Sequence, residues 1–238
     1  MKTTTSFLTF AAICSFLSTI TTLGIHLWFP DFSPDFNDRL LLYKNNTYLL
    51  NRWWVIVHCL LVLFSMWGIY LIQRQKSPAF SGIGLMFFGV FSITEIARQV
   101  LVLFYLNGLR IKYLNTESPG IREILKTDIE NFSLFSNALF GLFILAFALG
   151  NLFYGLSLWK ESGFGKVVSW LFLIWSAGNF TALIIEFIPN HFADKILGIY
   201  SYTFQPLMRV LIGFWLLKKT GEQDDQHVVS DYSCSAKK

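Results

Sequence analysis

Charged side chains are scarce in this chain: Asp, Glu, Lys and Arg make up 14% of its 238 residues, against about 25% in soluble domains. So few solvating groups exclude an ordinary water-exposed globular domain. Cysteine is scarcer still. Cys14 and Cys59 lie in apolar runs and Cys234 in a polar C-terminal stretch, spacings that suggest neither a disulfide framework nor a zinc site. The net charge is only +4 and the basic residues form no stripe, which argues against a nucleic-acid partner. There is no HExxH motif and no histidine pair at i,i+4. The last four residues, Ser235-Ala236-Lys237-Lys238, are no prenylation box. An inverted pair of three-helix halves would put Arg98 and Arg209 in corresponding helices, but the residues around them do not match. No catalytic motif emerges, no catalytic residue is assigned, and no cofactor is expected.

What the chain does contain is apolar: 54% hydrophobic residues, with 25 Phe and 8 Trp, a composition that takes lipid as its solvent. A run of about 18 or more apolar residues is a candidate membrane span. Six runs qualify, at about 7–29, 53–73, 83–107, 133–158, 165–188 and 196–217. Lys2 before the first run also fits a signal peptide, but the run continues through His26-Leu27-Trp28-Phe29 to Pro30, too long for a signal core. The expected fold is therefore all-α: a single six-helix transmembrane domain over 1–217, followed by a flexible polar cytoplasmic tail over 218–238. Trp28, Trp53 and Trp54 fall near span ends on one side, and Trp159 and Trp215 on the other, as interfacial aromatics should.

Lys and Arg outside the spans divide nine to eight between the two sides. Seven of the eight lie in two longer connections, about 30–52 and 108–132, where seven acids match them; the short turns at 74–82 and 159–164 are basic. Both termini are thus expected in the cytoplasm of a multi-pass cell-membrane protein. The two long connections then face outward. Ile121, Ile124, Leu125, Ile129 and Phe132 recur at helical spacing after Ser118-Pro119, a helix start. Leu40 to Tyr43, Leu49 and Leu50 make the other connection apolar too. Both are expected to be partly helical and to lie on the bundle's outer surface or cap it.

Polar residues inside the spans are the candidates for function. Glu95 lies near the middle of the third run, with Arg98 one turn later and Gln99 beside it; Arg209 lies near the middle of the sixth, after Gln205-Pro206. An ionised group on the lipid face costs about 2.5–3.5 kcal/mol, so these should face the bundle interior and pair. At ~1.5 Å per residue from the cytoplasmic ends, Glu95 and Arg209 stand about 18 and 12 Å deep. A Glu95–Arg209 bridge is therefore expected, with Arg98 as competitor. One reading is a clasp fixing helix register; the other is the lining of a small-molecule or ion site. Ser176, Gly178, Asn179 and Thr181 in the fifth run would hydrogen-bond a neighbour or leave a polar notch near Glu95 and Gln205. Ala146 and Gly150, with Gly141 and Gly155 beyond, favour close packing of the fourth.

A second group falls at the outer face: His26, His58, Glu186 and His191. Imidazole and carboxylate suit zinc, and two histidines at matching depth suit haem. Neither has local motif support, and interfacial histidine is more often an amphipathic side chain. Phe187-Ile188-Pro189-Asn190-His191 matches an F-x-x-x-H pattern of some intramembrane proteases, but the companion double-glutamate motif is absent.

The turn Leu158-Trp159-Lys160-Glu161-Ser162-Gly163-Phe164 leading to Ser169-Trp170-Leu171, and the acid and arginine of the third run, resemble an uncharacterised bacterial family of six-helix membrane proteins, domain-of-unknown-function family 4386. Where the family's turn carries a proline before the tryptophan, this chain has Lys166-Val167-Val168. The resemblance implies an integral membrane protein of no established activity and carries over no catalytic residue. Three functions stay open: a binding or transport bundle with a polar site at Glu95, Arg98, Gln99, Asn179, Gln205 and Arg209; a metal- or haem-dependent membrane enzyme; and a structural or assembly protein. The partners they imply are the lipid bilayer, a small-molecule ligand, and a protein bound through the loops or tail.

Overall fold

The computed structural model describes residues 2–29, 35–186 and 203–222, and all its regular structure is helical. In chain order come α1 (Lys2–Leu27), α2 (Phe36–Leu41), a 3-10 turn (Leu42–Lys44), α3 (Asn46–Gln73), α4 (Pro78–Val100), a π-helical turn (Leu101–Leu106), α5 (Asn107–Asn115), α6 (Pro119–Ser157) and α7 (Phe164–Glu186). Residues 203–222 form a further helix, α8. Five helices are long and apolar enough to cross a membrane: α1, α3, the continuous α4–α5 rod, α6 and α7. Helix α8, which holds Arg209, Lys218 and Lys219, packs among them but is not one of the five. The expected start of the sixth span, 196–202, lies outside the described residues. So does 223–238 of the expected tail, whose boundary at 217 falls inside α8.

Local chemistry sets the helix boundaries. Asn45 caps α3 by accepting from the Tyr48 amide at 3.0 Å, and Asp35 caps α2 through the amides of Asn37 and Asp38. Pro78 and Pro119 occupy first-turn positions, where a missing N–H is harmless. Gly163 has φ +56°, a conformation that only glycine adopts without penalty. It permits the sharp reversal between α6 and α7.

The long helices pack side by side, α1 on α3, α3 on α4, α4 on α6 and α6 on α7. Helix α8 closes the ring. Its Ser15 Oγ–Arg209 carbonyl bond of 2.6 Å joins it to α1, and Phe204 meets Trp175 of α7 edge-on. Phe88, Tyr154, Phe172, Trp175 and Trp215 fill the interior. Tyr154 donates its hydroxyl to the Met66 carbonyl at 2.8 Å, which satisfies a phenol that lipid could not. Large apolar side chains such as Ile93, Phe104, Leu134 and Ile184 point outward, the pattern of a bundle whose surroundings are apolar. Gly150 lies beneath the Phe88 ring and Gly155 against Leu173, each too close for a Cβ, whereas Gly141 meets nothing.

Three expectations need correction. Residues 108–132 are no loop: the third helix runs on to Asn115, the next begins at Pro119, and only 116–118 are non-helical. The helical spacing after Ser118-Pro119 marks the first turns of a 39-residue helix. Among the described residues seven α-helices precede α8, against the six helices expected for the whole domain, because α2 adds a short helix and the π turn divides the Pro78–Asn115 rod into α4 and α5. Trp215, expected among the interfacial aromatics, does not face outward. It is fully buried, because its face of α8 turns into the bundle.

The bundle has two distinct ends. At the turn end lie the chain start, the α3–α4 turn and the α6–α7 turn. At the cap end, α2, the 3-10 turn, the π turn, α5 and the start of α6 share a second apolar cluster built on Leu40, Tyr48, Leu106, Ile129 and Phe132. Ile121 and Ile124 of the same α6 segment stay exposed.

Candidate functional site

Near the cap end the six long helices enclose one cavity of about 420 Å³. Thr22 of α1, Arg52 and His58 of α3, Glu95, Arg98 and Gln99 of α4, Phe143 of α6, Asn179 of α7, and Gln205 and Arg209 of α8 all line it. The antiparallel order explains the convergence. Late positions of α1, α4 and α7 and early positions of α3 and α8 reach the same depth.

Glu95 is 3% exposed and held from its own helix. Arg98 donates Nε to Oε2 at 2.8 Å and Nη2 to Oε1 at 2.6 Å, a bidentate fork. Gln99 adds Nε2 to Oε1 at 2.6 Å. Its amide oxygen in turn accepts from Arg52 Nη1 at 3.2 Å, so one hydrogen-bonded chain links α3 to α4. The spacing dictates this: residues three and four later on a helix lie over the same face.

The expected Glu95–Arg209 bridge is therefore not formed. Arg209 instead faces α3 and α7. Its Nη2 lies 3.4 Å from His58 Nε2 and its guanidinium covers the Trp175 ring at 5.4 Å. It is 1% exposed, and its Nε and Nη1 have no hydrogen-bond partner among the described residues. His58 is oriented from its other nitrogen by Thr21 Oγ1 at 2.7 Å. Thr21 gives its own hydrogen to the Ser18 carbonyl, so Nδ1 donates and Nε2 is left to face Arg209 as acceptor.

Of the fifth-run residues, Asn179 lines the cavity and donates Nδ2 to the Trp175 carbonyl at 2.6 Å. Ser176 bonds the Ala148 carbonyl instead, and Thr181 bonds Ala177 on the exposed side. The notch thus reduces to one amide. Of the outer-face group, only the His58 side chain can be placed. His191 and the side chains of His26 and Glu186 lie outside the described residues, as does the F-x-x-x-H stretch. Among the described residues no three His, Cys, Asp or Glu side chains cluster to hold a metal ion.

Sequence reasoning missed Arg52, Arg39 and Arg110, which it counted only as loop charges. A smaller cavity of about 180 Å³ opens above the first, lined by Arg39, Tyr48, Arg52, Arg98 and Arg110, and shares Arg52 and Arg98 with it. The available signal was Asn45 as a helix cap: starting α3 there puts Arg52 nearly two turns inside the helix, seven residues before Cys59 on the same face.

A larger cavity, about 550 Å³, lies at the turn end between Gln73, Lys76, Trp159 and Glu161. Lys76 and Glu161, two of its three charged residues, are already paired. Glu161 accepts from Lys76 and Gln73, and Lys219 lies 3.7 Å away. Burial raises the pKa of the Glu161 carboxyl, but the Lys76 and Gln73 hydrogen bonds and the charges of Lys76 and Lys219 outweigh it and hold it below its ordinary value. A saturated ion cluster ties helices together, whereas the unpartnered donors at the cap end do not.

No family model, curated protein or solved structure matches this chain.

Proposed function

We propose that this chain is a multi-pass cell-membrane protein with six spans and both termini in the cytoplasm, and that it binds or transports a small molecule or ion held in the cap-end cavity. One observation carries the reading: Arg209 is buried in that cavity with two guanidinium nitrogens that have no hydrogen-bond partner among the described residues. A charge in the membrane interior costs about 2.5–3.5 kcal/mol on insertion scales and marks a functional site by default. The cavity's volume also suits a small ligand. The clasp reading is weaker, because the Glu95–Arg98 pair lies within one helix and fixes no helix to another. A metal or haem at His58 is disfavoured by charge, since Nε2 faces a guanidinium.

Native mass spectrometry of the detergent-purified protein tests the reading. A ligand adduct should accompany the wild type and be absent from Ala182→Trp, which fills the cavity wall. Identical adducts on both proteins would overturn it.

A further inference from the structure

We propose that the ligand is a small oxyanion-bearing molecule, a carboxylate or phosphate, admitted through the arginine-lined upper cavity and held by Arg209 and Arg52. This rests on the cap-end cavity being a binding site. The charge balance is the first argument. The two neighbouring cavities, which share Arg52 and Arg98, are lined by Arg39, Arg52, Arg98, Arg110 and Arg209 and, among the described residues, by a single carboxylate, Glu95. Arg98 already occupies that carboxylate in a bidentate fork. The other four guanidinia form no ion pair among the described residues. A cationic ligand would meet this excess as repulsion, and a neutral one would leave it uncompensated.

Donor accounting is the second argument. The Nε atoms of Arg39, Arg52 and Arg110, and Nε and Nη1 of Arg209, are buried without a hydrogen-bond partner among the described residues. Arg110 is not idle elsewhere. It gives Nη1 to Asn107 Oδ1 at 2.8 Å and to the Tyr48 hydroxyl at 3.3 Å, so its position is set while its buried Nε has no partner among the described residues. Guanidinium N–H groups donate only, in a planar fork that matches carboxylate and phosphate oxygens.

Geometry is the third. Arg52 lies over the Tyr48 ring at 4.4 Å and Arg209 over Trp175 at 5.4 Å. At these distances each guanidinium makes a cation–π contact, which supplies no hydrogen-bond acceptor to its N–H groups. Arg52 and Arg98 line both cavities, so an anion passing from the cap meets arginine along the way to Arg209.

The test is thermal unfolding of the detergent-purified protein titrated with potassium phosphate, potassium succinate or choline chloride, each against potassium chloride at equal ionic strength. Phosphate or succinate should raise the melting temperature saturably and choline should not. Half-saturation should weaken about tenfold or more in Arg209→Met, as loss of charge-assisted bonds implies, and likewise in Arg52→Gln, which serves if Arg209→Met does not fold. A lipid phosphate is distinguished by native mass spectrometry from nanodiscs containing phosphatidylglycerol. An adduct lost in Arg52→Gln assigns the anion to a headgroup, and a shift with soluble phosphate or succinate assigns it to a free anion. A choline shift abolished by Ala182→Trp would overturn the anion while keeping the binding site. Anion shifts unchanged in both arginine variants would mean surface binding and overturn the proposal. No shift with any probe, together with no adduct lost in Ala182→Trp, would remove both.

Discussion

At the scale of single residues, the partner of Glu95 decides what its burial means. A carboxylate bridged to another helix would be a fastening; bridged to Arg98 it is neutralised locally and leaves Arg209 for other work. Glu95→Gln should therefore lower the melting temperature, and the loss should shrink when Arg98→Gln is added, with a coupling of about 0.5–3 kcal/mol. Adding Arg209→Gln instead should leave the loss nearly unchanged. A double-mutant cycle read by thermal unfolding checks both, and coupling to Arg209 rather than Arg98 would contradict the pairing. Depth alone had pointed to Arg209. The sequence shows which charges must be sheltered, because their cost in lipid is general. It does not show their partners, which depend on how far each helix is rotated about its axis.

At the scale of helices and turns, hydropathy located five long apolar helices and stopped short of their polar ends. The α4–α5 rod and α6 continue through polar residues because each covers the other near the cap: Ile129 and Phe132 are buried beside Leu106 and Leu109. Charged loop and charged helix end look alike when the apolar period is interrupted, so Arg52 and Arg110 were invisible as interior residues. The α6–α7 turn, by contrast, was legible from Gly163 and its basic neighbours. Glu161 there ties to Lys76 and Lys219, and its carboxyl is held below the ordinary 4.5. A group depressed on folding adds stability above its unfolded pKa and loses it as pH falls through the folded one. Wild type should thus be more thermostable than Glu161→Gln at pH 7. The gap should close as melting is repeated below about pH 4. A gap independent of pH would assign the turn's stability to packing instead.

For the whole molecule, the all-helical architecture followed from composition, and the convergence of six helices on one cavity followed from their antiparallel order. Orientation rests on the basic short turns. Reporter fusions at Gly163 and after Lys219 should read cytoplasmic, and one at Thr116 external. An external reading at the C-terminal fusion would overturn this topology.

The placement of ion pairs gives the bundle a mechanical asymmetry. Among the described residues, every pair that joins one helix to another sits at the turn end, on Glu161. At the cap end the pair found near the cavity among the described residues rides within α4. Hydrogen bonds such as Arg52–Gln99 cross there, but among the described residues no salt bridge does. Small outward tilts of the helices about the turn end would therefore widen the cap-end cavity while leaving these turn-end ion pairs intact, as tongs open away from their rivet. Stiffness and aperture lie at opposite ends of the same six rods.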